Sequence, residues 1–152
     1  MNKKFELLLD DTITIFGIKL FRIKALISFG NVEEGEVGGY VEKETNLSSS
    51  GDAWVYGNAK VSGNAEVYGN AWVYGNAKVS GDADYIVFKN HWSSGRYFTY
   101  TKSNKMWRVG CFYGTGQELI NKAYQDSEIS GKHYEAYVEF VEKLEKLEET
   151  ND

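Results

Sequence analysis

The sequence predicts a mainly β protein whose centre is a short, three-sided stack of strands closed at both ends by other elements. Two observations carry the prediction. Residues 51–86 consist of six consecutive hexads of the pattern G-[N/D]-A-x-V-x, with Tyr replacing Val in the last, and residues 51–68 match residues 69–86 as blocks of eighteen. The chain also has 16 glycines and no proline. Glycine suits the corners of a stacked backbone, whereas each proline would remove a hydrogen-bond donor.

Composition excludes several classes of protein. The chain of 152 residues is 42% hydrophobic and 15% aromatic, which excludes a disordered tail. Its apolar runs are too short to cross a membrane, and acidic residues stand near the N-terminus where a signal peptide is apolar. A single cysteine excludes an internal disulfide framework and fits a reducing, cytoplasmic compartment. The net charge is −5.

The hexads define three sides with one short strand each, because three hexads complete the eighteen-residue period. Val55 and Ala59, four residues apart, are predicted to point inward, and a Gly-Asn or Gly-Asp pair is predicted at each corner, because both residue types accept positive φ. The pattern resembles the left-handed β-helix of hexapeptide-repeat proteins. The predicted fold is therefore a short left-handed β-helix over 41–86, an N-terminal β cap over 1–40, and a C-terminal β-hairpin with helices over 87–152.

One side of the predicted stack carries aromatic residues. Equivalent positions eighteen residues apart should lie one strand spacing apart, about 4.8 Å. This brings four rings together on one side: Trp54, Tyr56, Trp72 and Tyr74. An exposed aromatic cluster is typical of a contact surface. The alternative is that flanking segments, or a second copy of the chain, cover these rings.

The segments before the hexads are predicted to cap the stack. Val41 and Leu47 are six residues apart, but Leu47 precedes Val55 by eight, which indicates an irregular first coil with two extra residues around 48–50. Upstream, residues 12–16 and 19–26 are predicted as strands joined near Gly17.

Downstream, residues 87–115 contain five basic residues and no acid, among many aromatics. Alternation in 96–101 and 106–112, around Ser103 and Asn104, predicts a β-hairpin. Basic residues interleaved with aromatics are typical of single-strand nucleic-acid binding or of a contact surface for an acidic partner. The predicted binding residues of this segment are Trp92, Arg96, Tyr97, Tyr100, Lys102, Lys105, Trp107 and Arg108.

Residues 116–152 have the opposite charge, with ten acids against four lysines. Thr115 and Glu118 have the spacing of a capping box and predict a helix over about 118–125. A second helix is predicted from Ser130 or Gly131 to about Leu147, with one apolar face. If that helix packs on the hairpin, the two charges largely neutralise each other. The acidic total argues against binding of duplex DNA.

The sequence lacks a recognisable catalytic constellation. His91, which follows the last hexad, is a candidate base for an acyltransferase, but a histidine beside a tryptophan is more often a packing residue. His133 has no ligand set near it in the sequence, and Cys111 stands among apolar neighbours as a predicted buried thiol. No metal and no cofactor is predicted.

The order of motifs resembles a family of small hexapeptide-repeat, polymer-forming-like proteins common in bacteriophages and prophages. The resemblance rests on residues 21–26, 29–32, 38–42, the hexads, 84–85 and 110–115 (Gly-Cys-Phe-Tyr-Gly-Thr). It implies a phage-associated gene in a bacterial host. Three functions follow: a non-enzymatic binder of a host protein or ribonucleoprotein, such as an inhibitor of a CRISPR nuclease or another defence system; an acyltransferase; or an oligomeric virion-associated protein.

Overall fold

The computed structural model describes residues 4–81 and 84–150, and in this range the chain is mainly β with two helices. No helix in these ranges is both long enough and apolar enough to cross a membrane. The elements in chain order are β1 (Phe5–Ile15), β2 (Ile18–Ala25), β3 (Val37–Val41), β4 (Trp54–Val55), β5 (Lys60–Val61), β6 (Trp72–Val73), β7 (Lys78–Val79), β8 (Tyr85–Lys89), β9 (Tyr97–Thr101), β10 (Met106–Val109), β11 (Phe112–Thr115), α1 (Gly116–Asp126) and α2 (Glu128–Thr150).

The N-terminal strands form the predicted hairpin. β1 and β2 pair antiparallel and are joined by a tight turn at Phe16 and Gly17, both of which have positive φ. β2 pairs antiparallel with β3, and the sheet continues through β5 and β7 in the order β1-β2-β3-β5-β7. The hairpin thus extends the sheet formed by one side of the repeats.

The repeats pair in parallel with the register that the sequence predicts. Residue pairs eighteen apart face each other, as in Trp54 with Trp72 and Lys60 with Lys78. The segment before the first block pairs with an offset of twenty, as in Val41 with Val61 and Leu47 with Val67. The two-residue insertion between Leu47 and Val55 is therefore confirmed.

The inward positions of the hexads form a narrow core of small and branched side chains. Each inward Val and Ala in the described hexads is at most 1% exposed, and Ala83 lies outside the described residues. Five hexad glycines, at positions 51, 57, 63, 69 and 75, have the predicted positive φ, whereas Gly81 does not. β3 comes close to this core, because a β-carbon at Gly38 would lie 2.5 Å from the carbonyl oxygen of Val55.

Stacked parallel blocks leave unpaired backbone groups at each end of the stack, and at the first block these include carbonyl oxygens. Lys4 satisfies one of them and one in the segment just before the block, since its ammonium group donates to Ala53 O at 2.8 Å and to Ser48 O at 3.0 Å. Lys4 is only 2% exposed and lies 4.6 Å from the centre of the Phe29 ring. A buried cation therefore caps this end.

At the second block the unpaired groups include N–H donors, and side-chain oxygens accept from them. Between the blocks, Trp54 N donates to Ala71 O, Lys60 N to Ala77 O and Ser62 N to Val79 O. The equivalent donors of the second block bind side chains instead of a third block. Trp72 N donates to Thr99 Oγ1 at 3.1 Å, Lys78 N to Ser103 Oγ at 2.7 Å and Ser80 N to Asp84 Oδ2 at 2.9 Å.

Two of these caps belong to the C-terminal sheet, whose strand order is β11-β10-β9-β8. The sequence predicted one hairpin with a second strand from 106 to 112. The structure has β9 and β10 around the predicted turn, but β10 ends at Val109 because Gly110 has positive φ and turns the chain into β11. This corrects the prediction, and the Gly-Cys pair between two apolar runs was a hairpin signal that the sequence analysis missed.

The C-terminal sheet separates the repeats from the helices. Alternate side chains of its strands point to opposite faces. Thr99 and Arg108 contact the second block, whereas Phe98, Tyr100 and Trp107 belong to a core completed by both helices. The predicted capping box is present, since Glu118 N donates to Thr115 Oγ1 and Thr115 N donates to Glu118 Oε1. Both predicted helices are confirmed, and both are longer than predicted.

Thr99→Val tests the cap of the second block. The change keeps the shape of a side chain that is 2% exposed, but leaves the Trp72 N–H without its acceptor. We expect the free energy of unfolding to fall by about 1–2 kcal/mol. Urea unfolding measures this free energy. The matched control is Thr14→Val, at an exposed position of β1. Equal stabilities of the two variants would contradict the role of Thr99.

Lys4 predicts a pH dependence of stability. Burial lowers the pKa of Lys4 from 10.5 to about 8, against an opposing contribution from Asp52. Between these values the unfolded chain binds more protons than the folded chain, so the free energy of unfolding should rise from pH 8 toward pH 10. Lys4→Met should abolish the rise, measured by urea unfolding across this range. A rise of the same size in both proteins would assign it to another group.

Candidate recognition surface

The aromatic side of the repeats is covered from within the chain. Trp54 is fully buried, with the rings of Phe5 and Phe29 edge-on to it at 6.4 and 5.4 Å. Trp72 is half-buried and donates from Nε1 to Asp52 O at 3.3 Å. Of the two alternatives that the sequence left open, cover by flanking segments is the one that the structure has.

Tyr56 and Tyr74 stack face to face at the covered side, with ring centres 3.9 Å apart and planes 8° apart. The guanidinium group of Arg108 lies 3.9 Å from the centre of the Tyr74 ring and 6.0 Å from that of Trp72. Burial raises the pKa of both stacked tyrosines above the ordinary value. Arg108 thus joins the two segments that the sequence predicted as separate binding surfaces, and its contacts there are cation–π contacts.

The acidic helix neutralises two of the basic residues. Lys102 pairs with Glu148 at 2.7 Å, and Lys105 pairs with Glu145 at 3.2 Å. Glu145 also accepts a short hydrogen bond from the hydroxyl of Tyr100. Burial and this hydrogen bond raise the pKa of Tyr100 well above its usual range. The predicted charge compensation between α2 and the hairpin is therefore present at these residues.

Three of the predicted binding residues lie in the interior. Trp54, Tyr100 and Trp107 are 0%, 3% and 2% exposed, so these side chains do not form part of a surface in this conformation. This corrects the prediction for them. The reason is the alternation of the strands, since Tyr100 and Trp107 occupy positions that face the helices.

The turn between β8 and β9 holds the predicted residues that remain accessible. Arg96 and Tyr97 are exposed, and Trp92 is half-buried. Lys89, on the preceding strand, lies 5.9 Å from the centre of the Tyr97 ring. Among the described residues, neither Arg96 nor Lys89 has an acidic partner within 4 Å. Lys89 and Tyr97 therefore lie together at an exposed part of the sheet, whereas the Arg96 guanidinium group lies toward Gly110, at the turn between β10 and β11.

Asn90 holds this turn in one conformation. It is 4% exposed, and its backbone N–H donates to Arg96 O while its carbonyl oxygen accepts from Gly95 N. Its side-chain oxygen accepts from Ser93 N at 3.0 Å, and its side-chain nitrogen donates to the Tyr134 hydroxyl at 3.2 Å. A turn fixed by such hydrogen bonds loses little conformational entropy when it binds a partner.

A groove of about 470 Å³ adjoins the turn. Its walls come from the corner at Tyr68, Gly69 and Asn70 on one side and from β8 and Tyr97 on the other. Tyr68 and Tyr97 are 56% and 41% exposed, so two tyrosine rings are accessible here. Tyr68 is absent from the predicted binding residues, because Tyr97, which lines the same groove, belongs to a different predicted segment. We call the turn at 90–97, Lys89 and this groove the recognition edge.

His91, the candidate base, lies in the turn at 90–97. His91 contacts Trp92, His133 and Tyr137 at the end of the C-terminal sheet. Cys111, predicted to be buried, is exposed, because it lies in the turn that starts β11. In the part of the chain that the structure describes, no group of three or more His, Cys, Asp or Glu side chains is arranged to hold a metal ion.

Comparison with protein-family models finds no family that matches the chain, and comparison with curated proteins finds no match.

Glu145→Ala tests the compensation by α2. It removes the acceptor of the buried Tyr100 hydroxyl and the ion partner of Lys105. We expect the free energy of unfolding to fall by about 1–2 kcal/mol, mostly from the hydrogen bond, since exposed ion pairs contribute little. Thermal unfolding measures the loss. The control is Glu149→Ala, which changes an exposed acid one turn further along the helix. It should change the free energy of unfolding by only a few tenths of a kcal/mol, as is usual for surface substitutions.

Proposed function

We propose that this protein is a non-enzymatic accessory protein of a phage or prophage that binds a host macromolecule through the recognition edge. One observation carries the proposal. Arg96, Lys89 and Tyr97 are accessible on a rigid turn and lack acidic partners among the described residues, whereas Lys102 and Lys105 are neutralised by α2. Arginine and tyrosine are enriched at the energetic centres of protein interfaces.

The chemistry of the edge favours an acidic partner. A lysine beside an accessible tyrosine ring, with an exposed arginine on the same turn, suits carboxylates on a protein surface or phosphates of a ribonucleoprotein. The net charge of −5 opposes sequence-independent binding of duplex DNA, because that binding depends on many phosphate neutralisations. A host protein of a defence system, such as a CRISPR nuclease with its guide RNA, offers both kinds of acidic surface. The proposed site of action is the bacterial cytoplasm.

We further propose that the repeats form a left-handed β-helix. Parallel pairing at an eighteen-residue offset, inward Val and Ala, and corner glycines with positive φ support it. The resemblance to phage hexapeptide-repeat proteins agrees with this hand. In this proposal the helix is a rigid support that positions the C-terminal sheet and its exposed turn.

The two other functions have less support. Lys4 caps one end of the stack, and Thr99, Ser103 and Asp84 cap the other, which disfavours a virion polymer built by stacking chains end to end. An acyltransferase of this fold would need its base beside the repeats. In the described part of the chain, the ring and hydrogen-bond contacts of His91 are with Trp92, His133 and Tyr137, none of which lies in the hexads.

The proposal is tested by co-purification from bacteria that carry the defence systems, followed by affinity measurement with the recovered partner. We expect one partner at equal stoichiometry. The double change Arg96→Glu and Tyr97→Ala should weaken its binding by about 30-fold or more. This corresponds to a loss of roughly 2 kcal/mol of binding free energy, as expected for residues at the energetic centre of an interface. The same variant should lose any protection that the protein gives to an infecting phage.

The control is a double change of equal chemistry elsewhere, Lys43→Glu with Tyr124→Ala. Both residues are exposed, and Tyr124 is 41% exposed, as Tyr97 is. The control should bind as the unchanged chain does. Capture of no stoichiometric partner, or equal affinity of both double variants, would overturn the proposal.

A further inference from the structure

Both histidines of the chain meet at one place, although they are 42 positions apart in sequence. His91 follows β8, and His133 lies on α2. Their ring centres are 5.6 Å apart, with the planes at 73°. Two imidazoles that bind one metal ion through nitrogens at about 2.1 Å place their ring centres roughly 4.5–5.6 Å apart. The observed separation is at the upper end of that range.

His133 is held in the form that binds metals. Its Nδ1 lies 2.8 Å from the carbonyl oxygen of Ile129, which can only accept a hydrogen bond, so Nδ1 carries the proton. Nε2 therefore keeps its lone pair. The ring also stacks on Trp92, with centres 4.4 Å apart and planes 15° apart. A carbonyl behind one ring nitrogen is the usual support of a metal-binding histidine.

His91 is exposed and has its own support. Its Nδ1 lies 3.5 Å from the hydroxyl of Tyr137. Tyr137 lies on α2, one helical turn after His133. The hydroxyl can accept from Nδ1 when Nε2 is the ligand, because a phenol both donates and accepts. Trp92 lies against both histidines, and its own Nε1 donates to Ser130 Oγ at 3.3 Å, which fixes the Trp92 ring.

We propose that His91 and His133 form a binding site for a divalent transition-metal ion of the imidazole-preferring class. Two imidazoles leave further coordination positions for water or a carboxylate of a partner, so the site is an open one. Affinity should follow the order Cu²⁺ above Ni²⁺ and Zn²⁺, with no binding of Mg²⁺ or Ca²⁺, which require oxygen ligands. This inference does not rest on the proposed function, although His91 and Trp92 belong to the turn at 90–97.

Trp92 supplies a local readout. Cu²⁺ quenches tryptophan fluorescence at short range, and Trp92 is in contact with both proposed ligands. Titration of untagged protein with CuCl₂ at pH 7.5 should give saturable quenching with one ion per chain by calorimetry. Trp92→Phe removes the reporter and should lose most of the quenching.

The decisive variants are His91→Gln and His133→Gln, which keep polarity but remove the ligand nitrogen. Each should weaken Cu²⁺ binding by about tenfold or more, while thermal unfolding verifies that the variants are folded. Cys111→Ser removes the other exposed soft ligand and should leave binding unchanged. Stoichiometric binding that survives the double histidine change, or no saturable binding to the unchanged chain, would overturn the proposal.

Discussion

The structure depends on how the stacked repeats end. Stacked parallel blocks leave backbone groups without partners at both ends, and an exposed strand edge invites pairing with other chains. The described contacts satisfy carbonyl oxygens at the first block and N–H groups at the second. A lysine ammonium group supplies hydrogens at one end, and hydroxyl and carboxylate oxygens accept them at the other. The terminal segments therefore complete the hydrogen bonding of the repeats.

Because side chains alternate along its strands, the C-terminal sheet contacts the repeats with one face and the helices with the other. Side chains at Thr99 and Arg108 meet the second block, and their neighbours Tyr100 and Trp107 meet the helices. The basic and aromatic side chains of residues 87–115 thus largely make contacts within the molecule. What remains for a partner is the end of the sheet, where β8 turns into β9 and neither the repeats nor α2 cover Arg96 and Tyr97.

The sequence predicts features with a period or a local signal. The eighteen-residue match gave the pairing of Trp54 with Trp72, and the eight-residue gap before Val55 gave the insertion. The capping box at Thr115 gave the start of α1 within two residues. Contacts between distant segments had no such signal. The cap by Lys4, the stacking of Arg108 on Tyr74 and the meeting of His91 with His133 depend on how separate elements pack, which no local pattern encodes.

The caps of the second block recognise backbone groups and not side chains, and this has a consequence for how such proteins vary in length. Any eighteen-residue block offers the same three N–H groups at its equivalent positions, as the donors at Trp54, Lys60 and Ser62 do within the stack. A whole block inserted between the two present ones would therefore leave the final block facing Thr99, Ser103 and Asp84 unchanged. An insertion of six or twelve residues would rotate a different side toward them. Relatives of this protein should accordingly differ in the length of the repeats by multiples of eighteen.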